Sequence, residues 1–77
     1  MKLSEAIAIR LKELLDERNL SNYYLFKEGG IPRSTISAVV NAKKNNVGTN
    51  TVYQIASTLG ISLNEFFDAP VFDKVDD

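Results

Sequence analysis

The four residues Gly29-Gly30-Ile31-Pro32 constrain this chain more than any others, because they divide two short helical patterns. Glycine takes φ > 0 without steric penalty and so ends the first pattern. Pro32, with its fixed φ, suits the first turn of the second. Upstream, Ser21 is a good N-cap for Asn22–Glu28, a helix of about two turns that is expected to bury Leu25 and either Tyr23 or Phe26. Downstream, at about 100° per residue, Ile36, Val39 and Val40 share one arc, with Thr35 at its edge. Arg33, Ser34, Ser37, Ala38 and Asn41 share the opposite arc. Two short helices therefore meet at a glycine-centred tight turn.

That is a helix-turn-helix arrangement. The free face of its second helix is small and polar, carries one arginine at its start and is followed by Lys43 and Lys44. Such a face suits a groove of DNA, although a merely solvated face has the same composition.

The whole chain bounds the alternatives. Its 77 residues allow one small domain with a single core and little room for an enclosed enzyme pocket. The absence of Cys and His removes disulfides, thiol chemistry and nearly every zinc site, so no metal or cofactor is expected. Glu5 and Arg10 interrupt the apolar pattern of Met1–Leu11, which does not fit a signal peptide, and a reducing cytoplasm is the expected compartment. The net charge of −1 conceals a polarity. Residues 1–50 hold eight Lys/Arg against five Asp/Glu, giving +3, whereas residues 51–77 hold Lys74 against five acids, giving −4. Distribution matters more than the sum for a polyanionic partner.

Elsewhere the pattern is helical throughout. Leu3, Ile7, Leu11 and Leu14, with Leu15 at the edge, form a stripe over Leu3–Arg18, which Lys2 or Ser4 would open and Asn19 would stop in a left-handed conformation. Ile9 falls off the stripe, either under the C-terminal tail or exposed. Ala42–Thr49 reads as a loop. A further helix opens near Asn50, buries Val52, Ile55, Ala56 and Leu59, and closes at Gly60. Ser62-Leu63-Asn64-Glu65 is a capping box that starts a last helix, whose Leu63, Phe66 and Phe67 complete the core. Residues 69–77 are expected to form a mobile acidic tail, though Val71 and Phe72 are apolar enough to dock.

Taken in this order, the chain resembles the Cro/repressor (xenobiotic-response-element) family over about residues 3–68. The resemblance rests on Arg10-Leu11-Lys12-Glu13-Leu14, Leu20-Ser21-Asn22, Gly30, Arg33-Ser34-Thr35-Ile36-Ser37 and Ile55-Ala56-Ser57-Thr58-Leu59-Gly60-Ile61-Ser62-Leu63. It implies an all-α, five-helix DNA-binding domain over residues 1–68, with helices 2 and 3 as the helix-turn-helix. It further implies that Arg33, Ser34, Ser37 and Ala38 read base edges in the major groove. Arg33 would bond a guanine and Ala38 would offer a methyl to thymine. Asn22, Asn41, Lys43 and Lys44 match phosphate-contacting positions. The bland alternatives are capping for the two asparagines and solubility for the two lysines.

Four positions depart from the family pattern. Phe26 stands where a small residue is usual, and Gly29 where an apolar one is. The ring is expected to fill the space that the missing side chain leaves. Val40 replaces a glutamate that would pair with Arg10, leaving that arginine to reach phosphate or another carboxylate. Ala42 replaces the glycine after the recognition helix, so that turn is expected to differ.

The functional expectation is a sequence-specific regulator of transcription, a phage-like or chromosomal repressor that binds double-stranded DNA as a homodimer. Phe66, Phe67, Val71 and Phe72 are the candidate dimer contacts, with core packing and tail docking as the alternative. A protein-binding module or antitoxin, holding a partner through the C-terminal tail, is the competing class. An enzyme is not expected, for there is no histidine or cysteine, no phosphate-cradling glycine loop and no carboxylate pair inside an apolar surround.

Overall fold

A computed structural model describes residues 1–44 and 46–76. Asn45, in the expected loop, and Asp77, in the expected tail, lie outside the described residues. Five α-helices follow one another, α1 (Leu3–Glu17), α2 (Asn22–Gly29), α3 (Arg33–Val40), α4 (Thr49–Thr58) and α5 (Leu63–Phe67), and a 3₁₀ turn spans Pro70–Lys74. The architecture is all-α, as the periodicities require.

Local signals end these helices where the chain must turn. Asn19 and Gly60 take φ of 55° and 75°, and each lets the next amide reach back to the carbonyl five residues earlier, Leu20 to Leu15 at 2.9 Å and Ile61 to Ala56 at 3.0 Å. The Ser62 hydroxyl accepts from the Glu65 N–H at 3.0 Å, capping α5. The start of α1 is fixed by its third residue, since the Glu5 carboxylate accepts from the Lys2 N–H at 2.8 Å. Ser21 is the N-cap residue of α2, yet its side chain makes no capping bond, contrary to expectation.

The core gathers Leu11 and Leu14 of α1, Leu25 of α2, Ile31 of the turn, Ile55 of α4 and Phe66 of α5, all fully buried. Ile36, Val39 and Val40 complete the buried face of α3, as their common arc predicts. Along α1 the stripe holds from Ile7 to Leu15, but Leu3 at its open end is exposed and Ile9 lies on the surface. Ser4, Ala6 and Ala8 are buried as well, because α1 packs against both α3 and the 3₁₀ turn.

The C-terminal segment docks. Phe72 packs against the core and lies 4.9 Å, centroid to centroid, from Phe67. Beyond it, the Met1 ammonium pairs with the Asp76 carboxylate at 2.6 Å, and the Asp76 N–H returns a bond to the Met1 carbonyl at 3.0 Å. The hydrogen bond from that ammonium, and then its charge, hold the Asp76 carboxyl below the usual carboxylate range. Of the four candidate dimer residues, Phe66 is therefore core, Val71 and Phe72 are half-buried, and Phe67 is the most open at 39%.

Two departures from the family pattern have physical explanations, the first unlike the expected one and the second matching it only in a loose pairing of Arg10 with the Glu13 carboxylate. A Cβ on Gly29 would collide with the Thr58 side chain of α4, which is held by a 2.7 Å bond to the Gln54 carbonyl. The space at Gly29 is thus taken by α4, and the Phe26 ring does not fill it. Arg10, without a glutamate at position 40, donates from Nε to the Phe66 carbonyl at 2.7 Å and from a terminal nitrogen to the Glu65 carbonyl at 2.8 Å. Glu13 sits at a looser 3.7 Å. The guanidinium satisfies the Phe66 carbonyl at the end of α5 and is a second donor to the Glu65 carbonyl, which also accepts from the Asp68 N–H at 3.3 Å.

Candidate nucleic-acid interface

The turn between α2 and α3 sets the geometry of the site. Gly30 takes φ of 65°, and its amide bonds the Phe26 carbonyl while the Ile31 amide reaches Leu25. A Cβ at Gly30 would meet nothing within 4 Å, so it is the backbone angle, not crowding, that requires glycine here. Ile31 then inserts into the core and anchors the turn. Pro32 sits one position before the first helical residue, with φ of −56°.

With Ile36, Val39 and Val40 turned inward, α3 and its C-cap present Arg33, Ser34 and Asn41 exposed and Ser37 and Ala38 partly so. Asn41 donates from its side-chain amide to the Ser37 hydroxyl at 3.2 Å, tying together the polar face of two successive turns. Asn22, the first residue of α2, and Lys43 and Lys44, after α3, are exposed at the margins. Ser21 offers the first turn of α2 no side-chain acceptor; the Tyr24 N–H bonds the Ser21 carbonyl at 3.1 Å, and the helix start itself favours an anion.

Ala42 adopts φ of 51°, and the Lys43 amide bonds the Ala38 carbonyl at 3.0 Å. The left-handed exit expected of glycine is therefore kept by an alanine, at a steric cost of roughly 1 kcal/mol. This corrects the expectation that the turn would differ. The exit also directs the two lysines.

The candidate residues divide between two grooves flanking α3. Asn22, Arg33, Ser37 and Asn41 line an open groove of about 350 Å³ on the α2 side. Ala38 and Lys44 line a smaller one, about 70 Å³, on the loop side with Val47 and Thr51. Ser34 and Lys43 line neither.

Tyr23 and Phe26 are 53% and 39% exposed, so the expectation that one of them is buried does not hold. Leu25 alone is buried from α2, with Tyr24 packed partly against the core. The Arg33 guanidinium carbon lies 4.6 Å from the Phe26 ring centroid and 5.4 Å from that of Tyr23. Both distances are within cation–π range. These two aromatics are functional candidates that the sequence reading missed. The available signal was their i, i+3 spacing on a two-turn helix whose inward position Leu25 already fills.

Comparison with known proteins agrees with this architecture. Residues 11–66 match the sequence model of the family described as Helix-turn-helix. The crystal structure of the prophage Lp1 protein 11 is similar at a TM-score of 0.83 with 30% sequence identity, and the match covers 97% of this chain and 100% of that one. A search of curated proteins finds no match. No described helix is long and apolar enough to cross a membrane. By motif, helix order and sequence match, the chain belongs to the helix-turn-helix family of DNA-binding domains, of the Cro/repressor (xenobiotic-response-element) type.

Proposed function

We propose that this DNA-binding domain is a sequence-specific regulator of transcription of the phage-repressor kind, acting on double-stranded DNA with α3 in the major groove. The observation that carries this reading is the free face of α3, where Arg33, Ser34, Ser37, Ala38 and Asn41 are at least partly exposed on a helix whose other face is rigidly buried. Arg33 bonds a guanine edge, Ser34 and Ser37 contact neighbouring bases, and Ala38 meets a thymine methyl. Asn22 with the uncapped amides of α2, Asn41, Lys43 and Lys44 hold the flanking phosphates and set the register. The similarity to a prophage protein supports the phage-type assignment.

One module of this size reads only a few base pairs, so the active form is a homodimer on two half-sites about 34–36 Å apart. Phe67 is its most open apolar candidate.

Charge reversal tests the reading. In fluorescence anisotropy at low salt, the Lys43→Glu/Lys44→Glu protein is expected to bind a duplex at least tenfold more weakly than the wild type. The salt dependence should also be shallower, because two fewer counterions are displaced. Unchanged affinity and slope would exclude the assigned DNA face and favour a protein partner for this domain.

A further inference from the structure

We infer that the groove between α2 and α3 reads a 5-methylpyrimidine lying beside the guanine taken by Arg33, with Tyr23 and Phe26 as positioning residues for that arginine. The inference rests on the DNA-binding reading above.

Three observations converge. First, four of the eight candidate DNA contacts, Asn22, Arg33, Ser37 and Asn41, line this one groove, so it is continuous with the assigned DNA face. Second, the rest of its lining is apolar: Tyr23, Phe26, Ile36 and Val40. Third, the two rings at its lip are exposed while the core is closed by other residues, and both lie within cation–π distance of Arg33, Phe26 the nearer.

The chemistry follows from what each group leaves free. A guanidinium stacked by its face on an aromatic ring keeps its N–H donors pointing outward in its plane. Those edge donors are the ones that bond O6 and N7 of guanine. Stacking thus restricts the arginine to a narrow set of orientations without occupying its reading edge. The apolar part of the groove next to it, formed by Phe26, Ile36 and Val40, favours an apolar partner. On the major-groove edge of a base pair, that partner is the methyl on pyrimidine C5, carried by thymine or by 5-methylcytosine. A lysine at position 33 would offer neither the flat face nor the fork.

The test uses the full chain and begins with selection of bound sequences from a random duplex pool at low salt. The preferred site is then synthesised with thymine, deoxyuridine, 5-methylcytosine or cytosine at the position beside the conserved guanine. Removing the C5 methyl is expected to weaken wild-type binding roughly three- to fivefold, as loss of one buried methyl implies. The thymine–deoxyuridine pair and the 5-methylcytosine–cytosine pair identify which base supplies the methyl. A Phe26→Ala protein should lose both the methyl sensitivity and the guanine preference while keeping its helical content. Phe26→Tyr should retain both. Selected sites without a guanine, no methyl effect in either pair, or a methyl effect that survives in Phe26→Ala would overturn the inference and leave DNA binding intact. Absence of any salt-sensitive duplex binding by the wild type would overturn both readings together.

Discussion

The inner and outer faces of α2 were built for different purposes. Leu25 on the inner face is fully buried, and Ile31 beside it seals the turn. Tyr23 and Phe26 on the outer face place large apolar rings in solvent and turn them toward an arginine from the next helix. Of the eight residues of α2, Leu25 alone is buried. Whatever else it carries is free to serve recognition. The contrast teaches that large apolar residues here divide by place: those touching the core hold the fold, and those touching Arg33 shape the proposed DNA-binding surface.

The sharpest way to break this comparison is to truncate one residue from each face. Leu25→Ala is expected to destabilise the domain by about 2–5 kcal/mol, through lost transfer energy and a cavity that the two-turn helix cannot close. Phe26→Ala should change the denaturation midpoint little and affect DNA selectivity instead. Equal destabilisation by the two would mean that the outer ring is structural after all.

A smaller but distinct effect is expected at the other end of the fold. Arg10→Met would leave the Glu65 and Phe66 carbonyls without their charged donors and cost about 1.5–3 kcal/mol, measured by urea denaturation. DNA affinity at saturating stability should be unchanged, since this arginine is committed to α5.

Ala42→Gly runs in the opposite direction. It relieves a left-handed alanine and should stabilise the domain by about 1 kcal/mol, raising its melting temperature. If stability fell instead, the φ of 51° at that exit would not be costing the chain anything.

The smallest effect is at the terminal clasp. The folded-state pKa of Asp76 is depressed, so its contribution is present above the ordinary carboxylate range and is lost as pH falls through the lowered value. Asp76→Asn should therefore melt slightly lower than wild type near neutral pH, with the difference vanishing in acid. The pair is exposed and screened, which keeps the effect small.

The fold was legible in the sequence because its punctuation is local. Asn19, Gly30, Gly60 and Ser62 act on their own turn of chain, and the apolar stripes of α1, α3 and α4 run long enough to fix their phase. What was not legible depends on contacts between distant segments. Two turns are too few to tell which of Tyr23, Leu25 and Phe26 faces inward, and the answer lies with Arg33 across the glycine turn. Gly29 is explained by Thr58, which lies on α4. Phe72 docks because α1 and α5 leave it an apolar surface, and no periodicity in residues 69–77 announces that. For the candidate site, the polar face of α3 was readable from one helix. The aromatic pair beneath its arginine was not.

Whether α3 and the start of α2 form one DNA-binding face is tested most directly by an amide chemical-shift titration of the labelled protein with a short duplex at low and then high salt. Shifts clustered at Asn22, Arg33–Ala38 and Asn41–Lys44 that collapse at high salt are the expected result, because phosphate contacts dominate even non-specific binding. An unchanged spectrum, or salt-sensitive shifts confined to α4 and the C-terminal segment, would contradict it.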